Sequence, residues 1–192
     1  MSTASRFRHK KIIIATHVYA TGPAQDLELF LVTEKVAQLL FIAHPLWFAP
    51  HLQGSGYTYY QQGQLSQQAY RRLRRLPNLV AYFQAWILNI IFVLRHKQTW
   101  DLYLGCNNLN TASGLLLRRL GLVKKVVYYT IDYNPTRFNN RWLNRGYHWL
   151  DQWCTTHADE TWNTTHLVQT AREKYFGFRG GTQKVVPIGI WF

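Results

Sequence analysis

Cysteine is nearly absent from this chain and acidic residues are scarce, and the two shortages exclude different things. Cys106 and Cys154 are the only cysteines. They lie far apart with no Cys-x-x-Cys spacing, which argues against a disulfide framework or a zinc site and fits a reducing cytoplasm. Nine Asp and Glu stand against 22 Lys and Arg, a net charge of +13. That excess selects anionic partners: phosphate, nucleotide, nucleic acid or an acidic membrane surface. The chain also lacks G-x-G-x-x-G, the G-K-[ST] of a P-loop, H-E-x-x-H and G-x-S-x-G, which weakens dinucleotide, NTPase, metalloprotease and serine-hydrolase readings. It has no internal repeat, low-complexity tract or linker. Its opening, "MSTASRFRHKK", is a short basic tail without the apolar region of a secretory signal.

What is present alternates between two periods. Hydrophobic residues make up 47% of 192 positions, enough for one α/β domain and too few residues for two full-sized ones. "KIIIATH" (Lys11 to His17) and "AQLLFIAH" (Ala37 to His44) are short apolar runs that predict buried parallel strands. Between them Thr21 or Gly22 is available as a helix cap, with Pro23 at the first helical position. "YTYY" reads as a short strand, and Tyr70 to Leu76 as a basic helical stretch before Pro77. Leu79 to Leu94 predicts a strongly apolar helix, shorter than the roughly 20 residues of a membrane span and interrupted by Gln84 and Asn89. It reads as a core helix with one greasy face available to lipid, in preference to a span.

Strands then follow at Trp100 to Asn107, at Val126 to Ile131, around Trp162 and in "KVVPIGI". Helices separate them: Asn110 to Gly121, a helix carrying Trp142, Leu143, Tyr147, Leu150 and Cys154 on one face, and "HLVQTAREKYF". This order predicts a Rossmann-like parallel sheet with helices on both faces in a single domain.

Open α/β sheets bind ligands outside the carboxyl ends of their strands. Of the nine acidic residues only Asp132 falls at such an end; its plainer reading is an Asx-turn carboxylate bonding the backbone near Asn134. The same edge collects His17, His44, Asn107, Asn108, Asn110, Thr130, Tyr133, Arg137 and Asn163. Arg137 can pair with a phosphate or with Asp132, or stand solvated at a helix start. The loop "THVYATGPAQ", with Thr21 and Gly22, offers backbone amides at a helix N-terminus to an anion. The run "RRLRRL" (Arg71 to Leu76), next to the apolar helix in a chain with eight Trp, suits anionic lipid or single-stranded nucleic acid, unless it is merely a solvated helix face.

The segment from "WDLYLGCNN" through "YTIDYNPTRFNNRWLN" and "ADETWNTT" to "VVPIG" resembles the amino-terminal, acceptor-side domain of GT-B glycosyltransferases of the family-4-like kind. The resemblance covers nearly the whole chain, residues 1–192, with Gln53 to Pro77 least covered, and rests on the order of several short motifs. It implies half of a GT-B fold that holds the acceptor while a second, donor-binding domain or subunit supplies a nucleotide-sugar co-substrate. No cofactor or metal is implied for this half. Asp132 then matches the position of a base or acceptor-positioning group, where many retaining relatives place a histidine nearby, so the stereochemistry stays open. Gly22 matches the glycine-bearing first loop that approaches donor phosphates. The sequence ends where that second half would begin, so the resemblance implies a truncated or split enzyme. The implied acceptor is a glycan or lipid-linked hydroxyl, and the implied location is the cytoplasm or the inner face of the plasma membrane. The competing expectation is a basic, aromatic-rich module for nucleic acid or an anionic membrane. No RNP, KH or helix-turn-helix pattern favours nucleic acid.

Overall fold

The β-branched runs read from the sequence become the centre of one eight-stranded sheet, ordered β4-β3-β2-β1-β5-β6-β7-β8. This computed structural model describes residues 7–17, 22–45, 54–71, 77–177 and 181–188. The strands are β1 (Lys11–Thr16), β2 (Gln38–Ala43), β3 (Ser55–Gln61), β4 (Gln64–Arg71), β5 (Trp100–Cys106), β6 (Val123–Thr130), β7 (Glu160–Asn163) and β8 (Gln183–Val185). The helices are α1 (Pro23–Thr33), α2 (Asn78–Arg95), α3 (Asn108–Arg119), α4 (Arg141–His157) and α5 (His166–Phe176). The architecture is that of a Rossmann-like α/β domain.

β1 lies at the middle because both of its neighbours, β2 and β5, run parallel to it. Alternate side chains of each strand face opposite layers. Ile12 and Ile14 pack with Leu39, Leu104 and Val127 under α1. Ile13 and Ala15 pack with Leu40, Tyr103, Val126 and Tyr128 under α2, α3 and α4. Gly105 is required where β5 passes beneath the first turn of α3: a Cβ there would stand 2.5 Å from the Thr111 backbone nitrogen.

The sheet departs from the sequence expectation at one edge. β3 and β4 form an antiparallel hairpin, so Tyr70 and Arg71 lie in a strand rather than a basic helix; positions 72–76 fall outside the described residues. The turn is Gln62–Gly63, both at positive φ (51° and 77°). Those angles suit a two-residue hairpin loop, but Gln-Gly lacks the Asn-Gly or Asp-Gly spelling that usually announces one. β4 is polar and mostly exposed, a composition that blunts an edge against pairing with other chains.

α4 and α5 are tied to the sheet by a buried ion pair. Arg172 Nε donates to Asp151 Oδ2 at 2.7 Å, with side chains only 1% and 2% exposed. Arg172 also donates to Asn163 Oδ1 (2.8 Å) and Gln183 Oε1 (3.1 Å), and the Tyr128 hydroxyl donates to Asp151 Oδ1 at 2.6 Å. Burial works against the guanidinium charge, but the Asp151 bonds outweigh it and hold the Arg172 pKa above its ordinary value. Removing one partner of such a pair strands a buried charge, whereas replacing both with apolar groups does not. Arg172→Leu is expected to cost about 3–5 kcal/mol in urea unfolding, and Asp151→Leu/Arg172→Leu together less than the sum of the single losses. Additive losses would show that the two side chains act independently.

Candidate functional site

Strand order reverses between the parallel strands β1 and β5: the connections from β1 build the sheet one way, and those from β5 build it the other. Such switch points open a crevice at the strands' carboxyl ends. A cavity of about 550 Å³ lies there, within the range of small-molecule sites. His17 follows β1, Cys106 ends β5 with Asn107 to Leu109 after it, and Thr130 ends β6 with Ile131 and Asp132 after it, around the floor. Leu79 and Tyr82 of α2 and Trp142, Leu143, Gly146, Tyr147 and Leu150 of α4 wall it, with Arg137 and Phe138 closing the loop side. The wall is predominantly apolar, and the polar groups sit at the strand tips.

Asp132 is the exposed carboxylate of this rim. Its side chain is 70% exposed, and Oδ2 accepts from Arg137 Nη1 at 3.0 Å. The Arg137 guanidinium lies 5.3 Å from the Tyr147 ring centroid. The turn that sequence reasoning offered as the plainer role for Asp132 belongs to Asn134, whose Oδ1 accepts from the Thr136 amide at 3.0 Å. The loop is pinned to α4 through the Pro135 carbonyl, which accepts from Asn144 Nδ2 (2.7 Å) and His148 Nε2 (2.8 Å). Asp132 is therefore carried on a fastened loop with its carboxylate outward.

Beneath the floor runs a chain of buried amides and imidazoles. The Asn107 side-chain oxygen caps α3 by accepting from the Asn110 amide at 2.9 Å. Its amide nitrogen must then be the group facing His17 Nδ1, so that nitrogen accepts and the His17 proton resides on Nε2. Asn89 joins the second histidine: it accepts from His44 Nε2 at 3.0 Å and donates to Asn110 Oδ1 at 2.8 Å. Asn107 holds φ 148° and ψ 173°, a backbone region almost reserved for glycine and kept only where the surroundings enforce it. Among the described lining residues, His17 alone keeps a buried polar side-chain atom, Nε2, without a partner.

Of the residues singled out from the sequence, the cavity brings together Asp132, Arg137, His17, Asn107, Asn108 and Thr130. Asn110 and His44 lie behind it in the amide chain. Tyr133 turns away, its hydroxyl 3.4 Å from His148 Nδ1 and its ring beneath the Arg172 guanidinium. Asn163 is buried in the Arg172 network. Gly22 stands before α1, whose body packs on the opposite face of the sheet, and Thr21 lies outside the described residues.

The sequence reading grouped Trp142, Leu143, Tyr147 and Leu150 on one helix face but not as a cavity wall, and it passed over Leu79 and Tyr82. Asp151 is not among the residues singled out from the sequence. The available signal was the five-member apolar face of α4 that includes a tyrosine and an exposed tryptophan. Among the described residues no cluster of three or more His, Cys, Asp or Glu is arranged to hold a metal. No protein-family model matches the chain, and no curated protein matches it.

Burial lowers the His17 pKa from 6.5 to about 3, helped by His44 and Arg137, and lowers that of His44 to about 4 despite its bond to Asn89. Between those values and 6.5 the unfolded chain binds protons that the folded one refuses, so stability falls as pH drops through that window. The unfolding free energy of the parent is expected to decline from pH 6.5 towards pH 4, with a shallower slope in His17→Leu. Identical slopes in urea titrations across that range would remove His17 from the account.

Proposed function

We propose that this domain holds a hydroxyl acceptor for glycosyl transfer from a nucleotide-sugar, as the acceptor-side half of a GT-B glycosyltransferase. The observation that carries the reading is the placement of Asp132 on the rim of a largely apolar cavity at the sheet's switch point. The nucleotide-sugar is bound by a second Rossmann-like unit, whether in one chain or two.

The acceptor's apolar part packs against Tyr82, Trp142, Leu143 and Tyr147, and its hydroxyl reaches Asp132. Oδ2 is engaged by Arg137, which leaves Oδ1 for the acceptor proton. In a single displacement the hydroxyl oxygen bonds to the anomeric carbon, the anomeric carbon–phosphate oxygen bond breaks, and the proton passes to Asp132. The nucleoside diphosphate departs with its electron pair, its growing charge offset by basic groups with Arg137 the nearest candidate. This route inverts the anomeric centre.

A nucleic-acid module is the second reading, favoured by the net charge of +13 and the aromatics interleaved with it; a salt-dependent gel shift tests it. For the transferase reading, Asp132→Asn mixed or fused with a donor-binding half is expected to lose about 10²–10⁴ in kcat, with the acceptor KM changed little. Retention of parental turnover would take the base role from Asp132. Arg137→Met is expected to reduce transfer further when the leaving group is a diphosphate than when it is an activated phenol. Equal losses with both donors would remove Arg137 from leaving-group stabilisation.

A further inference from the structure

The outward face of α2 carries a continuous apolar stripe. Val80, Phe83, Ile87, Ile91 and Leu94 are 36–60% exposed, and their spacing places them along one side of the 18-residue helix. The opposite side is buried through Ala85, Leu88, Phe92 and Val93. A helix apolar on both sides satisfies one of them against the sheet and requires an apolar medium for the other. Among the described residues no helix is long and apolar enough to cross a membrane.

Charge defines that medium. From Lys35 to Trp100 the sequence contains seven Lys and Arg and no Asp or Glu. Arg95 and Lys97 are exposed at the end of α2. On α4, Trp142 and Trp149 are 66% and 64% exposed, with exposed Arg141 and Arg145 beside them; Arg141 lies 5.3 Å from the Trp142 ring centroid. Leu79 of α2 and Trp142 of α4 both border the cavity, so the two helices flank it.

We propose that the α2 stripe and the exposed tryptophans of α4 form a docking face for an anionic lipid bilayer. Aliphatic groups enter the acyl boundary, tryptophans take the interface, and the arginines engage acidic headgroups. A second copy of the chain is a poorer occupant, because two molecules of charge +13 repel. Nucleic acid is poorer as well, because bases stack on aromatic planes and the stripe is mostly aliphatic. Docked in this way, the domain sets the mouth of its cavity at the headgroup level. An amphiphilic acceptor can then enter without leaving the bilayer, a consequence that rests on the glycosyltransferase reading; the docking itself does not.

The test is flotation of the full chain with phosphatidylcholine vesicles, with and without about one third phosphatidylglycerol. Binding to the acidic vesicles alone, released at high salt, is the expected result. Phe83→Ser/Ile87→Ser is expected to weaken that binding about tenfold or more, and each charge lost in Arg141→Gln/Arg145→Gln about fivefold. All four positions are exposed, so the circular dichroism melt checks that folding is unchanged. A parent that stays unbound on acidic vesicles at low salt overturns the proposal, as do variants that bind as well as the parent. A concentration-dependent dimer abolished by Phe83→Ser/Ile87→Ser also overturns it, by assigning the stripe to a second copy. Docking is read by flotation alone, so its failure leaves transfer to a water-soluble acceptor as a separate judge of the glycosyltransferase reading.

Discussion

The bond between Arg172 and Asp151 is the constraint from which the carboxyl-terminal half of the structure is hung. One guanidinium collects a carboxylate from α4 and side-chain oxygens that end β7 and begin β8, while it sits under the rings of Tyr128 and Tyr133. β7 and β8 are already paired as parallel strands; the guanidinium joins that pair to α4. α4 also supplies the cavity wall and the two side chains that fasten the Asp132 loop. An apolar pair of the same volume would pack as well and cost less desolvation, but it would give up the directional bonds that add to α4's packing on α3. The directional bonds of the ion pair set the angle at which Tyr147 and Trp142 meet the cavity.

The second buried network does for the strand tips what the first does for the helices. His17 and Asn107 end neighbouring parallel strands, and the amide chain behind them continues through Asn110 and Asn89 to His44. Each amide has one orientation that satisfies both of its neighbours, so the network has a single proton arrangement at neutral pH. That arrangement fixes the strained Asn107 backbone and hence the start of α3. Strain of this kind costs on the order of 1–3 kcal/mol, about what a capping bond and a buried hydrogen bond together return. A glycine would adopt the same backbone without strain and lose both bonds.

The alternation of strands and helices was legible because buried parallel strands and amphipathic helices leave unlike periods. Residues 11–16 and 123–130 are rich in β-branched and aromatic side chains, and 38–43 and 100–106 are short, largely apolar runs. Asp132 was legible for a topological reason: a carboxylate closing a buried strand has few places to go but the ligand edge. The hairpin was not legible, since β4 is polar on both faces and its turn is spelled Gln-Gly. Nor was the Asp151–Arg172 pair. Its members are 21 positions apart on different helices, and nothing local distinguishes a buried acid in a helix from a solvated one. Gly22 attracted a phosphate-binding expectation from its position after β1, whereas the helix it precedes packs on the sheet's other face.

The distribution of charge separates two kinds of surface on this one domain. Partly exposed carboxylates at the strands' amino-terminal edge are neutralised locally: Asp101 by Lys124, Asp159 by Arg118, and Glu160 by Lys184. At the opposite edge the described residues pair Asp132 with Arg137, and the cations of α2 and α4 have no acidic residue beside them in sequence. Self-repulsion from an excess of +13 destabilises the compact state, so an uncompensated cluster persists more readily where something anionic relieves it. A phosphate-bearing acceptor or leaving group at Arg137 and acidic headgroups around α2 would relieve it at adjoining places. Under the proposed transfer these are not two demands on the chain but one, since a substrate that lives in an acidic membrane presents both anions at the mouth of the same cavity.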